Sequence, residues 1–153
     1  MRGKTLKFRL KQEAPFEALC CVHGHPEAKF KAVFATRFSP AGVIPLSQLP
    51  APLVEELLAS PPTRDGDPRM IVGDIFFGNM KCVERSISLD VFADNMTWTS
   101  TAMPLLLCED KEMTTTLIGN EFMMSQWNEM RMSGTSVEVV PSGIRKHLGR
   151  TQK

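Results

Sequence analysis

The chain contains no tyrosine and only two tryptophans, against ten methionines in 153 residues. Methionine fills irregular gaps and makes adaptable contact surfaces, so this balance implies a pliable core or a pliable face. No apolar run approaches the roughly 20 residues needed to cross a bilayer, so no membrane association is expected. The opening Met-Arg-Gly-Lys-Thr-Leu-Lys has no apolar stretch behind its basic residues and does not read as a secretory signal. Four cysteines, two of them adjacent, do not make the framework of a small disulfide-stapled domain. These absences predict a reducing compartment, cytoplasmic or nuclear. Also missing are a Gly-rich phosphate loop, a nucleophile elbow, a paired-carboxylate motif and any internal repeat. The common sequence-readable enzyme classes have no signature here.

What is present begins with charge. The net charge of +1 divides into about +5 over residues 1–38, −8 over 39–138 and +4 over 139–153. Basic ends flanking an acidic middle predict one positive patch if the ends meet. Lys7, Arg9 and Lys11, with Arg145 and Lys146, are its candidate residues. No aromatic side chains are interleaved with them, so a protein partner, an acidic one, is preferred over nucleic acid.

Length and composition predict one domain spanning 1–153. It reads as a β-β-α unit over 1–38, a Pro-rich connector over 39–69, a strand-rich core over 70–142 and a basic tail over 143–153. Leu6, Phe8 and Leu10 alternate with Lys7, Arg9 and Lys11, as in a half-buried strand. A turn near 13–16 leads to a strand over 19–25, making a hairpin. Pro26 suits a first helical turn, and Phe30, Val33, Phe34 and Phe38 fall at helical spacing. Seven of the eleven prolines lie between Pro40 and Pro68, leaving room for one short helix, 52–60. Strands are expected over 70–77, 83–91, 96–102, 103–108, 114–118 and 136–140, with a helix over 122–132. The expected fold class is α+β, a mainly antiparallel sheet with two or three helices.

The densest group of reactive side chains is Cys20-Cys21-Val22-His23-Gly24-His25. In extended chain Cys21, His23 and His25 share a face and could begin a site for zinc or another transition metal. His147, Cys82 and Cys108 are candidate further ligands, and no other cofactor motif is present. A thiol nucleophile at Cys20 or Cys21 is the other chemical reading. Asp65-Gly66-Asp67 is a fragment of a calcium loop that reads better as a solvated turn.

Thr5–Lys11, Ala18–His25, the Phe30-Lys31-Ala32-Val33 stretch and Gly134–Pro141 resemble parts of ubiquitin-fold modifier proteins of the β-grasp class. That resemblance covers about a third of the chain and has no counterpart for residues 39–131. It implies a β-grasp fold and a processed C-terminus, with Gly149 as the conjugating residue. The preferred function from sequence is a non-enzymatic protein–protein interaction or assembly module. Its contacts would be Lys7, Arg9, Lys11, Pro61, Pro62, Arg64, Arg145 and Lys146; metal binding and conjugation are the alternatives.

Overall fold

The computed structural model describes residues 5–11, 15–63, 70–74 and 78–142. The first strand, β1 (Leu6–Arg9), keeps the predicted alternation, with Leu6 and Phe8 buried and Lys7 and Arg9 exposed. Its partner is not the next strand. β1 pairs antiparallel with β12 (Ser136–Pro141), Leu6 opposite Val139 and Phe8 opposite Val137. β12 also pairs with β11 (Trp127–Met132), completing a three-stranded sheet ordered β1-β12-β11. On its other side β1 is held by a turn: the Lys7 and Arg9 amides donate to Asn95 Oδ1 at 2.9 Å and Asp94 Oδ2 at 2.6 Å.

The larger sheet has nine strands and mixes both pairing directions. Along the chain its members are β2 (Glu17–Val22), β3 (Phe30–Phe34), β4 (Gly42–Pro45), β5 (Met70–Asp74) and β6 (Gly78–Ile87). They continue with β7 (Leu89–Phe92), β8 (Thr97–Thr99), β9 (Met103–Cys108) and β10 (Thr116–Ile118). The spatial order is β5-β6-β9-β4-β10-β3-β2-β7-β8. At its centre β10 runs parallel to β3 and antiparallel to β4, and β4 runs parallel to β9. Such pairings between distant segments explain why β4 and β10 are short and buried throughout.

Two α-helices occur among the described residues. α1 (Ala51–Ala59) opens with Pro52 in its first turn, as proline's missing N–H allows, and buries Leu53 and Leu57. α2 (Asn120–Gln126) buries Phe122, Met123 and Gln126. It ends six residues before the predicted helix because Trp127–Met132 is needed as a strand against β12.

The fold therefore departs from the α+β expectation: it is β-rich, with a mixed nine-stranded sheet and no N-terminal β-β-α unit. The segment read as a helix after Pro26 is β3. Phe30, Ala32 and Phe34 are buried at period two, and β3 is bonded on both sides, to β2 and β10. Phe30 and Phe34 satisfy both periods, and the aromatic and β-branched side chains of Phe30, Val33 and Phe34 favour the strand. Gly24, at φ +92°, turns the chain between β2 and β3. The β-grasp resemblance falls with that helix.

Most of the aromatic side chains gather in one cluster. Phe16 stacks on Phe34 with centroids 4.5 Å apart, and Phe34 on Trp127 at 5.4 Å. Phe8 meets Phe16 edge-on at 5.0 Å, and Phe122 presents an edge to Trp98 and Trp127. This cluster joins the two sheets through α2. A second, smaller core beneath β4, β6 and β9 contains Phe38, Met80, Cys82, Leu106, Cys108 and Met113. No helix among the described residues is long and apolar enough to cross a membrane.

Candidate functional site

The loop from β3 to β4, residues 35–41, is folded against the start of α2 by backbone hydrogen bonds. The Ala35 amide donates to Ile118 O at 2.8 Å, and Gly119, Asn120 and Glu121 donate to Ala41 O, Phe38 O and Ser39 O at 2.8, 2.7 and 3.2 Å. A helix start carries unsatisfied amides, and here the loop's carbonyls accept three of them. The fit requires glycine at 119, where a Cβ would lie 1.9 Å from Pro40 O and 2.5 Å from Phe38 O. This junction forms one wall of a cleft of about 850 Å³.

The opposite wall comes from β6 and β9, with Glu84, Pro104 and Leu106 facing the space. α2 contributes Asn120, Glu121 and Met124, and Met124 is 73% exposed. A half-buried Glu84 and an exposed Glu121 thus share a cleft with apolar Leu106 and Met124. Thr63 donates to Glu84 Oε1 at 2.6 Å and orients it. Next to it, the buried Arg85 donates to Leu58 O at 3.1 Å and ties β6 to the end of α1, a cation at a helix C-terminus. Such a cleft suits an extended chain carrying apolar side chains and a positive charge.

The Cys/His segment forms a different site, centred on Asp90. Asp90 is buried because β7 lies between β2 and β8. It accepts from Thr99 Oγ1 at 2.6 Å, from His23 Nδ1 at 2.9 Å and from the Cys21 thiol at 3.6 Å. Burial pulls its pKa upward, but the hydrogen bonds from Thr99 and His23, the His23 ring itself and the Cys21 thiol outweigh this. The net effect holds Asp90 below the ordinary carboxylate value. Burial and the Asp90 charge push Cys21 up to about 11, and burial pushes Cys20 well above the usual thiol range. An attacking thiolate needs the opposite shift.

Cys21 and His23 do share a face, but His25 does not complete it. Its Nδ1 lies 3.4 Å from Glu27 and its Nε2 3.7 Å from Glu56 on α1. Among the described residues no group of three or more His, Cys, Asp or Glu side chains is arranged to hold a metal ion. Cys82 and Cys108 lie in the smaller core and not beside Cys21. His147 falls outside the described residues.

Because Asp90's pKa is lower folded than unfolded, its contribution is present above the ordinary value of 3.8 and disappears as pH falls through the lower folded value. Acid titration of stability should therefore show an extra loss below pH 3.8 that Asp90→Asn lacks. Urea midpoints measured from pH 7 to pH 2 check this.

Of the basic candidates, Lys7, Arg9 and Lys11 are exposed. Lys7 lies directly opposite Glu138, which lies opposite Arg131, itself paired with Glu129 at 2.8 Å. That face alternates in sign. Pro61 and Pro62 are exposed just beyond α1. Arg64, Arg145, Lys146 and Gly149 fall outside the described residues. Sequence reading missed Glu84 and Glu121, because the strands and helix that bring them together are far apart in the chain.

No family model matches the chain, and no curated protein matches it. Among solved structures it is similar to a retropepsin-like aspartic protease from Rickettsia conorii, with a TM-score of 0.56 and 11% identity. The match covers 89% of this chain and 90% of that one. At that identity the likeness shows the fold: this is a retropepsin-like architecture and not a ubiquitin-like one.

Proposed function

We propose that this protein is a recognition module that binds an extended polypeptide segment in the cleft between α2, the 35–41 loop and the β6–β9 wall. The observation that carries this reading is the composition of the cleft, with Glu84 and Glu121 set among Leu106, Pro104 and Met124. A basic side chain would lie between the two carboxylates and apolar neighbours would cover Met124. The protein of similar fold is a protease, which handles polypeptide chains.

Binding is favoured over cleavage by where the acids are. Aspartic chemistry needs two carboxyl groups close enough to share a proton. The three aspartates whose side chains are described are each committed elsewhere. Asp90 serves His23 and Thr99, Asp94 the Arg9 amide and Asp110 the Lys81 amide, at 2.8 Å. The 35–41 loop offers Thr36, Arg37 and Ser39 but no acid.

Fluorescence anisotropy with ten-residue peptide pools tests the reading. Basic-apolar pools should bind and acidic pools should not, with affinity falling as salt rises. Glu84→Gln and Glu121→Gln should each weaken binding about three- to fivefold, as removal of a partly exposed ion pair does. Failure of every pool to bind would overturn it.

A second reading has one observation in its favour: two carboxylates line a cleft in a fold shared with a protease. Glu84 and Glu121 would then be an acid–base pair. Mass spectrometry of the same peptides after incubation at pH 3–7 separates the readings. Cleavage abolished by Glu84→Gln and by Glu121→Gln establishes the second; intact bound peptide establishes the first.

A further inference from the structure

Cys82 on β6 and Cys108 on β9 are both fully buried, reduced, and directly opposite each other in an antiparallel ladder. The Glu109 amide donates to Lys81 O at 2.9 Å, which makes 81 and 109 a hydrogen-bonded pair and 82 and 108 the non-hydrogen-bonded pair beside it. Such pairs hold their Cα atoms about 4.5 Å apart with side chains converging. A disulfide accepts Cα separations of about 4.4–6.8 Å, so no strand need move. The Cys82 thiol donates to Met80 O at 3.8 Å, and both cysteines lie within the smaller core. Cys20 and Cys21 differ: adjacent on one strand, they point to opposite faces.

We infer that Cys82 and Cys108 form a reversible cross-strand disulfide when the protein meets hydrogen peroxide, making the pair a redox-sensitive clasp on the cleft wall. The Cys82 sulfur attacks one peroxide oxygen, becoming a sulfenic acid and releasing one water. The Cys108 sulfur then attacks that sulfur, forming the S–S bond and releasing the second water. Two thiol hydrogens and the peroxide leave as two waters; the sulfurs are oxidised by two electrons and the peroxide is reduced by two. A dithiol reductant reverses the reaction by exchange.

The clasp lies two residues from Glu84 on one strand and from Leu106 on the other, so it stiffens the wall that carries both. Burial pushes Cys82 up to about 12, which keeps the thiol protonated and the reaction slow at neutral pH. Access comes through opening of the β5–β6 hairpin at the sheet edge. The inference is independent of what occupies the cleft.

The test is hydrogen peroxide treatment of the whole protein, followed by denaturation, alkylation of remaining thiols and peptide mapping. The expected product has two alkylated cysteines, 20 and 21, a mass lower by two hydrogens, and one crosslinked peptide containing Cys82 and Cys108. Its rate should rise about tenfold per pH unit below the thiol pKa, and its unfolding temperature should rise by several degrees, reversed by reductant. Cys108→Ala should lose the crosslink and the thermal shift, whereas Cys21→Ala should keep both. Four alkylated cysteines after oxidation, a crosslink through Cys20 or Cys21, or a sulfinic acid at Cys82 beside a free Cys108 would each overturn it. If Cys108→Ala does not fold, the wild-type map decides.

Discussion

Gly119→Ala is expected to destabilise the protein by about 3 kcal/mol, at the upper end of what an overpacked site costs. The added Cβ would meet Pro40 O at 1.9 Å, Phe38 O at 2.5 Å and the Phe38 ring at 2.9 Å. Two of these are backbone atoms and cannot rotate away. Relief requires the 35–41 loop and α2 to separate, stretching the three amide-to-carbonyl bonds from Gly119, Asn120 and Glu121. The same movement pulls Ser39 and Glu121, both cleft residues, away from each other. Peptide affinity should therefore fall with stability in this variant. Gly42 and Gly134 grade the effect. A Cβ at 42 would lie 3.1 Å from Leu117 O, a milder clash, and one at 134 would meet nothing within 4 Å. Urea denaturation of the three alanine variants should rank them 119, 42, 134, the last within about 0.5 kcal/mol of wild type.

Phe122→Ala should cost about 4 kcal/mol, within the range for emptying a buried aromatic site. Phe122 is 0% exposed and stands edge-on to Trp98 and Trp127, at 6.3 and 6.1 Å. Trp127 passes the packing on to Phe34, and Phe34 to Phe16. A cavity at 122 therefore loosens a stack that spans both sheets. Phe122→Leu keeps most of the volume and should cost less than half as much. The measurement has built-in reporters, because the only two tryptophans of the chain flank this ring. Their emission should shift to longer wavelength in Phe122→Ala before any denaturant is added, and the urea midpoint should fall.

Local periodicity read β1, α1 and β12 well, because each has one clear pattern and, in α1, a proline at a helix start. It failed where one pattern serves two periods. Phe30–Phe34 fits a helix face until β2 and β10 are known to bond it on both sides. Trp127–Met132 continues the helical stripe of α2 until β12 claims it as a strand. Asp90 shows the same limit at a site. Ser86, Ser88 and Asp90 alternate with apolar Ile87, Leu89 and Val91, yet the strand breaks at Ser88 and β7 enters the sheet interior, where Asp90 is buried. Neither Glu84 with Glu121 nor Cys82 with Cys108 has a spacing that a motif could announce. Their meeting is created by β6–β9 pairing and by the docking of α2, which no local window contains. The Cys21/His23 neighbourhood was visible in the sequence; its centre, Asp90, was not.

The pairing of Leu6 with Val139 also sets a schedule. Closing so long a stretch of chain is entropically costly and slow. During synthesis β1 stays without its partner until β12 has left the ribosome, while α1 and the β2–β3 hairpin can already form. The exposed edge of β1 is protected in that interval by Lys7 and Arg9, charges that discourage strand-to-strand aggregation. The three-stranded sheet should accordingly be the last part to acquire hydrogen-exchange protection on refolding and the first to lose it.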